Sequence, residues 1–442
     1  MKRIIFLIVI IPNIFFGQHT IKGTFSPAAD FTAVLLYKIT PSKLEYIDNA
    51  KLNEDGSFEL KLDLTATKGM YKLIYALPED EHFIDIIYNA NEDIEFTFNL
   101  NDNVVYKSSK ENKLITSYMH SMAMIQQSIN NFFSQKSEDY KALETIFKTQ
   151  RETQTNFEGA AIGTIALHFI EANRFYIPEK QEDVKTYMNN LETHFFDHVD
   201  FNNEVLQSSN FLSERMFNYV FRLSHFGLDD VSNYNRNIDV FYKAMSDAPL
   251  NIKSNLLLEL WERMGKDGLE EVANYIADRY LIDIAKLQNN KELVYKLTTF
   301  RNISIGHKAP DFSFEIKENN KNTIKKLSEL QGAENYIIVF WSSTCAHCLH
   351  ELPQLHDFVK SQEKDKLKVI AIGLEGEANN WKDTITKFPD FINVFGEGKW
   401  ENVIGDDYGV VATPTYFILN KDKEIIARPD DIVALKTFYQ ND

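Results

Sequence analysis

The stretch YIIVFWSSTCAHCLHELPQLHDFVK, residues 336–360, decides how the C-terminal third of the chain is read. Tyr336 to Trp341 is an unbroken apolar run of strand length, the pattern of a strand covered on both faces. A short polar turn, Ser342 to Thr344, leads into Cys345-Ala346-His347-Cys348 and then a helical stretch. At a helix N-terminus, a Cys345 thiolate meets unsatisfied backbone N–H groups and the positive end of the helix dipole, and both lower its pKa. The three-residue offset returns the sulfur of Cys348 toward it, deeper in the helix. Cys345 is therefore the expected attacking nucleophile and Cys348 the expected resolving thiol. His347, between them, is expected to stabilise the reduced form and make the pair more oxidising than one flanked by Gly-Pro. His350 and His356 are expected to be solvated helix positions.

These two cysteines are the only ones in 442 residues, so neither a disulfide scaffold nor a second Cys-x-x-Cys is available. A four-ligand zinc site would need His347 or His350 and a distant ligand. Covalent haem attachment needs His directly after the second Cys, where Leu349 stands. No metal and no cofactor is expected.

Working outward, further apolar runs at Leu367 to Leu374 and Tyr416 to Leu419 alternate with helix-like segments, which predicts an α/β unit over residues 303–442. Gly306 and Pro310 mark the linker before it. Over residues 106–300 the period is helical, with aromatic stripes of the kind that build cores, and a spacer or docking role is expected. His194 and His198 fall at i, i+4 there, without a Glu-based zinc signature, and read as an exposed polar helix edge. Residues 18–105 alternate with period two in FELKL, YKLIY, IDIIY and IEFTF, which predicts a β-rich domain serving binding or scaffolding. Residues 1–17 combine Lys2 and Arg3, an apolar run broken by Pro12, and Gly17, the pattern of an export signal peptide.

Lys and Arg total 47 against 64 Asp and Glu, a net charge of −17, so nucleic acid is not an expected partner. Hydrophobic content of 44% and charged content of 25% suit a folded, multi-domain chain.

The C-terminal region, from about Ser304 onward, resembles the thioredoxin superfamily and, within it, the exported TlpA-like thiol-disulfide oxidoreductases. The resemblance rests on GHKAPDFSF (306–314), VFWSSTCAHC (339–348), Glu351-Leu352-Pro353 and ATPTYFIL (412–419). It implies a thioredoxin fold, catalysis by Cys345 and Cys348, and motif or substrate-contact roles for Trp341, Ala346, His347, Thr413 and Pro414. It also implies a cis Thr413–Pro414 bond opposite the cysteines, whose neighbouring backbone pairs with substrate like an added strand. Glu351 matches an acidic residue that assists proton transfer at the resolving thiol; the competing reading is a first-turns Glu stabilised by the helix dipole. Two departures stand out: Thr344 where many relatives carry Trp, and Val339 where cytoplasmic thioredoxins carry a buried Asp. The β-rich region resembles small domains found ahead of TlpA-like modules.

The expected protein is exported to the periplasm and exchanges a Cys345–Cys348 dithiol/disulfide with protein substrates, with a membrane thiol carrier as electron donor. Its redox direction is open. Two alternatives stand beside it: a thiol peroxidase, since residues 306–312 also resemble the opening of peroxiredoxins, and a non-catalytic periplasmic binding protein.

Overall fold

The alternating segments near the amino end form eight strands: β1 (Thr20–Ser26), β2 (Ala33–Ile39), β3 (Leu44–Lys51), β4 (Ser57–Lys61), β5 (Gly69–Ile74), β6 (Phe83–Tyr88), β7 (Ile94–Asn99) and β8 (Asn103–Tyr106). This computed structural model describes residues 19–440 apart from Ser42, Asp80 and residues 101–102, 224–226 and 319–320. The expected export signal lies outside the described residues. The strands make two four-stranded sheets, ordered β4-β1-β7-β8 and β3-β2-β5-β6. Because strand side chains alternate between faces, one side of each sheet meets the other. Ile21, Phe25, Phe58 and Phe96 from the first sheet share a buried core with Val34, Leu36, Tyr71, Leu73 and Ile86 from the second.

Helices follow from Lys110–Ser134 to Leu250–Lys266, as the change of period predicts. The first is tied to the sandwich by Asn112, whose side chain accepts from Ile87 N at 2.8 Å and donates to Ile87 O at 2.6 Å. The chain divides into two compact units between Leu256 and Leu257, inside the helical region.

His194 and His198 do not share a helix edge. The helix Val184–Thr193 ends just before them. His194 Nδ1 pairs with Asp197 at 2.6 Å while its ring stacks on Tyr176, and burial lowers the His198 pKa. The two histidines lie instead at either end of a turn, His194 to His198.

In the second unit, the helices from Leu257 onward lead to β9 (Ser313–Glu318), β10 (Lys321–Lys326), β11 (Asn335–Trp341), β12 (Leu367–Glu375), β13 (Ile392–Glu397), β14 (Thr415–Asn420) and β15 (Ile425–Ala427). Five of them form a sheet ordered β13-β12-β11-β14-β15, in which β11, β12 and β13 run parallel and β14 and β15 are antiparallel to their neighbours. Central β11 is buried on both faces, which is why its sequence shows no polar alternation. Ile338 and Phe340 enter one core with Tyr408 and Phe417; Ile337, Val339 and Trp341 enter the other with Cys348, Leu352 and Tyr416. The three-part architecture and the C-terminal thioredoxin fold expected from the sequence are both present.

Gly373 on β12 marks a close approach, since a Cβ there would run into the Trp381 indole. Gly373→Ala is expected to cost about 1–3 kcal/mol through overpacking. A urea unfolding midpoint unchanged by this substitution would show that the ring can move aside.

Candidate active site

The helix Ala346–Ser361 begins where β11 ends, and Cys345 is its N-cap. Among the contacts that hold the turn between them, Cys345 N donates to Ser342 O at 3.1 Å, and the Ser343 backbone N–H donates to the Glu375 carboxylate. Glu375 ends β12, is 3% exposed, and also lies within 3.4 Å of the Ser342 hydroxyl. A buried carboxylate needs such donors, and here they fix the loop that presents the thiols.

Cys345 is half-buried and Cys348 is wholly buried. Cys345 Sγ accepts from Cys348 N at 3.2 Å, and its S–H donates to Thr413 O at 3.3 Å. Burial pushes the Cys345 thiol up, but hydrogen bonds from the Cys348 side chain and backbone, the Thr413 side chain and the His347 backbone outweigh it, and the net shift is below the ordinary 9.0. Burial pushes Cys348 up to about 12, with its own hydrogen bond to Cys345 adding to the rise. The two thiols are thereby separated into one poised to ionise and one that holds its proton.

That separation has a measurable sign. Thiolate grows as pH rises through the folded pKa, so alkylation of Cys345 should climb with pH and level off with a midpoint below 9.0. At pH 7, iodoacetamide should modify Cys345 well ahead of Cys348, because Cys345 carries the larger thiolate fraction and Cys348 is buried. Peptide mapping of protein modified to one equivalent would read this, and equal labelling would refute it.

Other expected site residues fall in different places. Ala346 and His347 are exposed on the first turn of the helix. The Thr413–Pro414 bond is cis and sits across from Cys345, with Thr413 supplying the carbonyl contact. Trp341 is fully buried in the core beneath the helix, so it offers no surface to a substrate. Its place at the inner end of β11 makes it a packing residue. His356 is not solvated either. It lies one turn after Leu352 on the buried helix face, 9% exposed, edge-on to Phe388 and Phe391, with Nε2 3.1 Å from Asp390. His350 is exposed.

Glu351 is one turn beyond Cys348 and partly buried. Its Oε2 accepts from the Tyr416 hydroxyl at 3.0 Å and from the Ile432 backbone N–H at 3.0 Å. Ile432 opens the helix Ile432–Gln440, so the carboxylate caps a different helix from its own. Tyr416 on β14 faces Val339 on β11 in register and is 1% exposed. Burial raises its pKa first, and the nearby Glu351 and Cys348 charges raise it further. Tyr416 and Glu375 were missed in the sequence. The only signs were a tyrosine inside the apolar run YFIL and an acid closing the apolar run LKVIAIGLE. Among the described residues, no group of three or more His, Cys, Asp and Glu is arranged to hold a metal ion.

Comparison with known proteins places these features in context. Residues 332–425 match a family described as thioredoxin-like, and residues 19–115 match a domain of unknown function, DUF4369. The thiol-disulfide oxidoreductase ResA of Bacillus anthracis is 25% identical over 130 residues, 28% of this chain and 68% of that protein. The sporulation thiol-disulfide oxidoreductase A of Bacillus subtilis is 29% identical over 96 residues, 20% of this chain and 54% of that protein. Among solved structures, a domain of a possible thiol-disulfide isomerase from Cytophaga hutchinsonii is 29% identical, with a TM-score of 0.27, covering 31% of this chain and 91% of its own. A thioredoxin-like protein from Bacteroides caccae is 18% identical, with a TM-score of 0.31, covering 60% of this chain and 96% of its own.

Proposed function

We propose, from the premise that the C-terminal domain is a TlpA-like member of the thioredoxin superfamily and an oxidoreductase by kinship, that this chain exchanges disulfides with protein substrates. The observation that carries the reading is the asymmetric pair: a half-buried Cys345 with its thiol pKa below the ordinary value, beside a buried Cys348 held at about 12.

In the reducing direction, the Cys345 thiolate attacks one sulfur of a substrate disulfide. The S–S bond breaks, a Cys345–substrate mixed disulfide forms, and the first substrate thiolate leaves. Cys348 then gives up its proton and attacks Cys345 Sγ. The intramolecular disulfide forms, and the second substrate thiolate leaves and is protonated. Two electrons pass from the cysteine pair to the substrate, and a dithiol donor, in our reading a membrane thiol carrier, returns them. Run backwards, the same steps oxidise a substrate dithiol. The proposed setting is an exported compartment, where disulfides persist.

The difficult proton is the one on Cys348. The relay we propose is the partly buried Glu351 as acceptor, oriented by the buried Tyr416. Glu351→Gln should slow decay of the mixed disulfide by about 10²-fold, the lower range for loss of a general base, while attack by Cys345 keeps its rate. Stopped-flow single turnover separates the two phases, and equal decay in the variant would remove Glu351 from the relay.

The reading as a whole is tested by stoichiometry. Fully reduced protein mixed with a disulfide-bearing peptide should lose two protein thiols for each peptide disulfide opened. No thiol loss would sink it, and peroxide-driven loss without a disulfide substrate would favour the peroxidase alternative.

A further inference from the structure

Thr413, whose carbonyl meets Cys345 Sγ, ends a short segment that also borders a groove. The segment 409–413 lies outside the strands, between the helix that ends at Asp407 and β14, and two of its residues, Gly409 and Val411, line a groove of about 730 Å³. The opposite wall comes from the helices Leu250–Lys266 and Lys291–Asn302, through Trp261, Leu293, Tyr295 and Phe300. Gly409, Val411 and the polar Asn290, Glu292 and Lys296 also line it, and Val411 is 89% exposed. The volume is within the range of about 300–1,000 Å³ usual for ligand pockets.

One lining residue is anchored beyond the groove, since Tyr295 Oη donates to Asp406 O at 2.9 Å, and outside the lining Glu270 accepts from Ile305 N at 2.8 Å and pairs with Arg428. Trp261 and Phe300 meet edge to face at 4.9 Å. A preformed apolar surface of this kind spends little free energy on ordering when it is filled.

What fills it follows from its position. Val411 precedes Thr413 by two residues, which in extended chain is at most about 7 Å. Thr413 O is the carbonyl that Cys345 Sγ touches. A substrate strand laid along residues 411–413, with its cysteine at Cys345, therefore brings side chains near that cysteine to the mouth of the groove. We infer that this groove is a specificity subsite for an extended, disulfide-bearing polypeptide, and that it takes a bulky apolar side chain two to four residues from the substrate cysteine.

This inference rests on the exchange reading above, and one experiment separates the two. The probes are peptide–glutathione mixed disulfides carrying Phe or Ser at each position from two to four residues on either side of the cysteine. Single-turnover rate constants are taken with reduced full-length protein. At the favoured position Phe should react about tenfold faster than Ser, the factor that ~1.4 kcal/mol provides. In Val411→Asp that ratio should fall to about one, and the exposure of Val411 makes loss of fold no obstacle. Uniform rates across the series, or a preference that survives Val411→Asp, would overturn the subsite and leave the exchange reading intact. No reaction with any peptide would overturn both. A change in oligomeric state on Val411→Asp would assign the groove to a second copy of this chain instead.

Discussion

With serine at position 345, exchange should be lost completely, because an alkoxide cannot replace the thiolate and no S–S bond can form at that atom. The fold should be unaffected. Cys345 serves as N-cap of the helix Ala346–Ser361 by accepting from Cys348 N, and serine is among the best residues for that position. Stability should therefore stay within about 0.5 kcal/mol of the parent, as for substitutions that keep local bonding. Parallel measurement of peptide-disulfide reduction and thermal unfolding checks both halves. Residual turnover above the uncatalysed reaction would mean that Cys348 or another group can attack.

The complementary substitution, Cys348→Ser, should divide the reaction rather than abolish it. Attack by Cys345 remains, but the mixed disulfide it forms has no internal thiol to release it, so turnover should fall by at least about 10², a low bound given effective molarities of about 10⁵ M or more for well-oriented intramolecular groups. Covalent adducts should build up to one per chain, visible by mass spectrometry and dissolved by dithiothreitol. Cys348 is fully buried, so the new hydroxyl enters an apolar core and should cost about 1–3 kcal/mol. Adducts that fail to form in a folded variant would place the nucleophile elsewhere.

The fold was largely legible, because its signals are local. The eight N-terminal strands announce themselves in two-residue alternation, and β11 in a run with no alternation at all, since both of its faces are covered. The cysteine pair was legible for the same reason: a strand, a turn and a helix start within a dozen residues. What failed were statements about where side chains point. Trp341 continues an apolar strand into a conspicuous motif, yet the sheet puts it in the core. His356 looks like any helix polar residue until Phe388, Asp390 and Phe391, more than thirty positions away, close over it. Glu351 carried two readings from the sequence. The structure takes it away from the second, an acid serving its own helix, because its partners, Tyr416 and Ile432, come from distant segments. No periodicity encodes such meetings.

The shared acceptor at Glu351 has one more implication. Its Oε2 holds the first amide of the helix Ile432–Gln440 while standing one turn from the resolving thiol, a separation of 81 positions along the chain. If the carboxylate takes the proton that Cys348 releases, its grip on that amide slackens for the lifetime of the protonated state. Hydrogen–deuterium exchange at Ile432 would then record, in a segment far along the chain from the cysteines, how often the sulfur pair has fired.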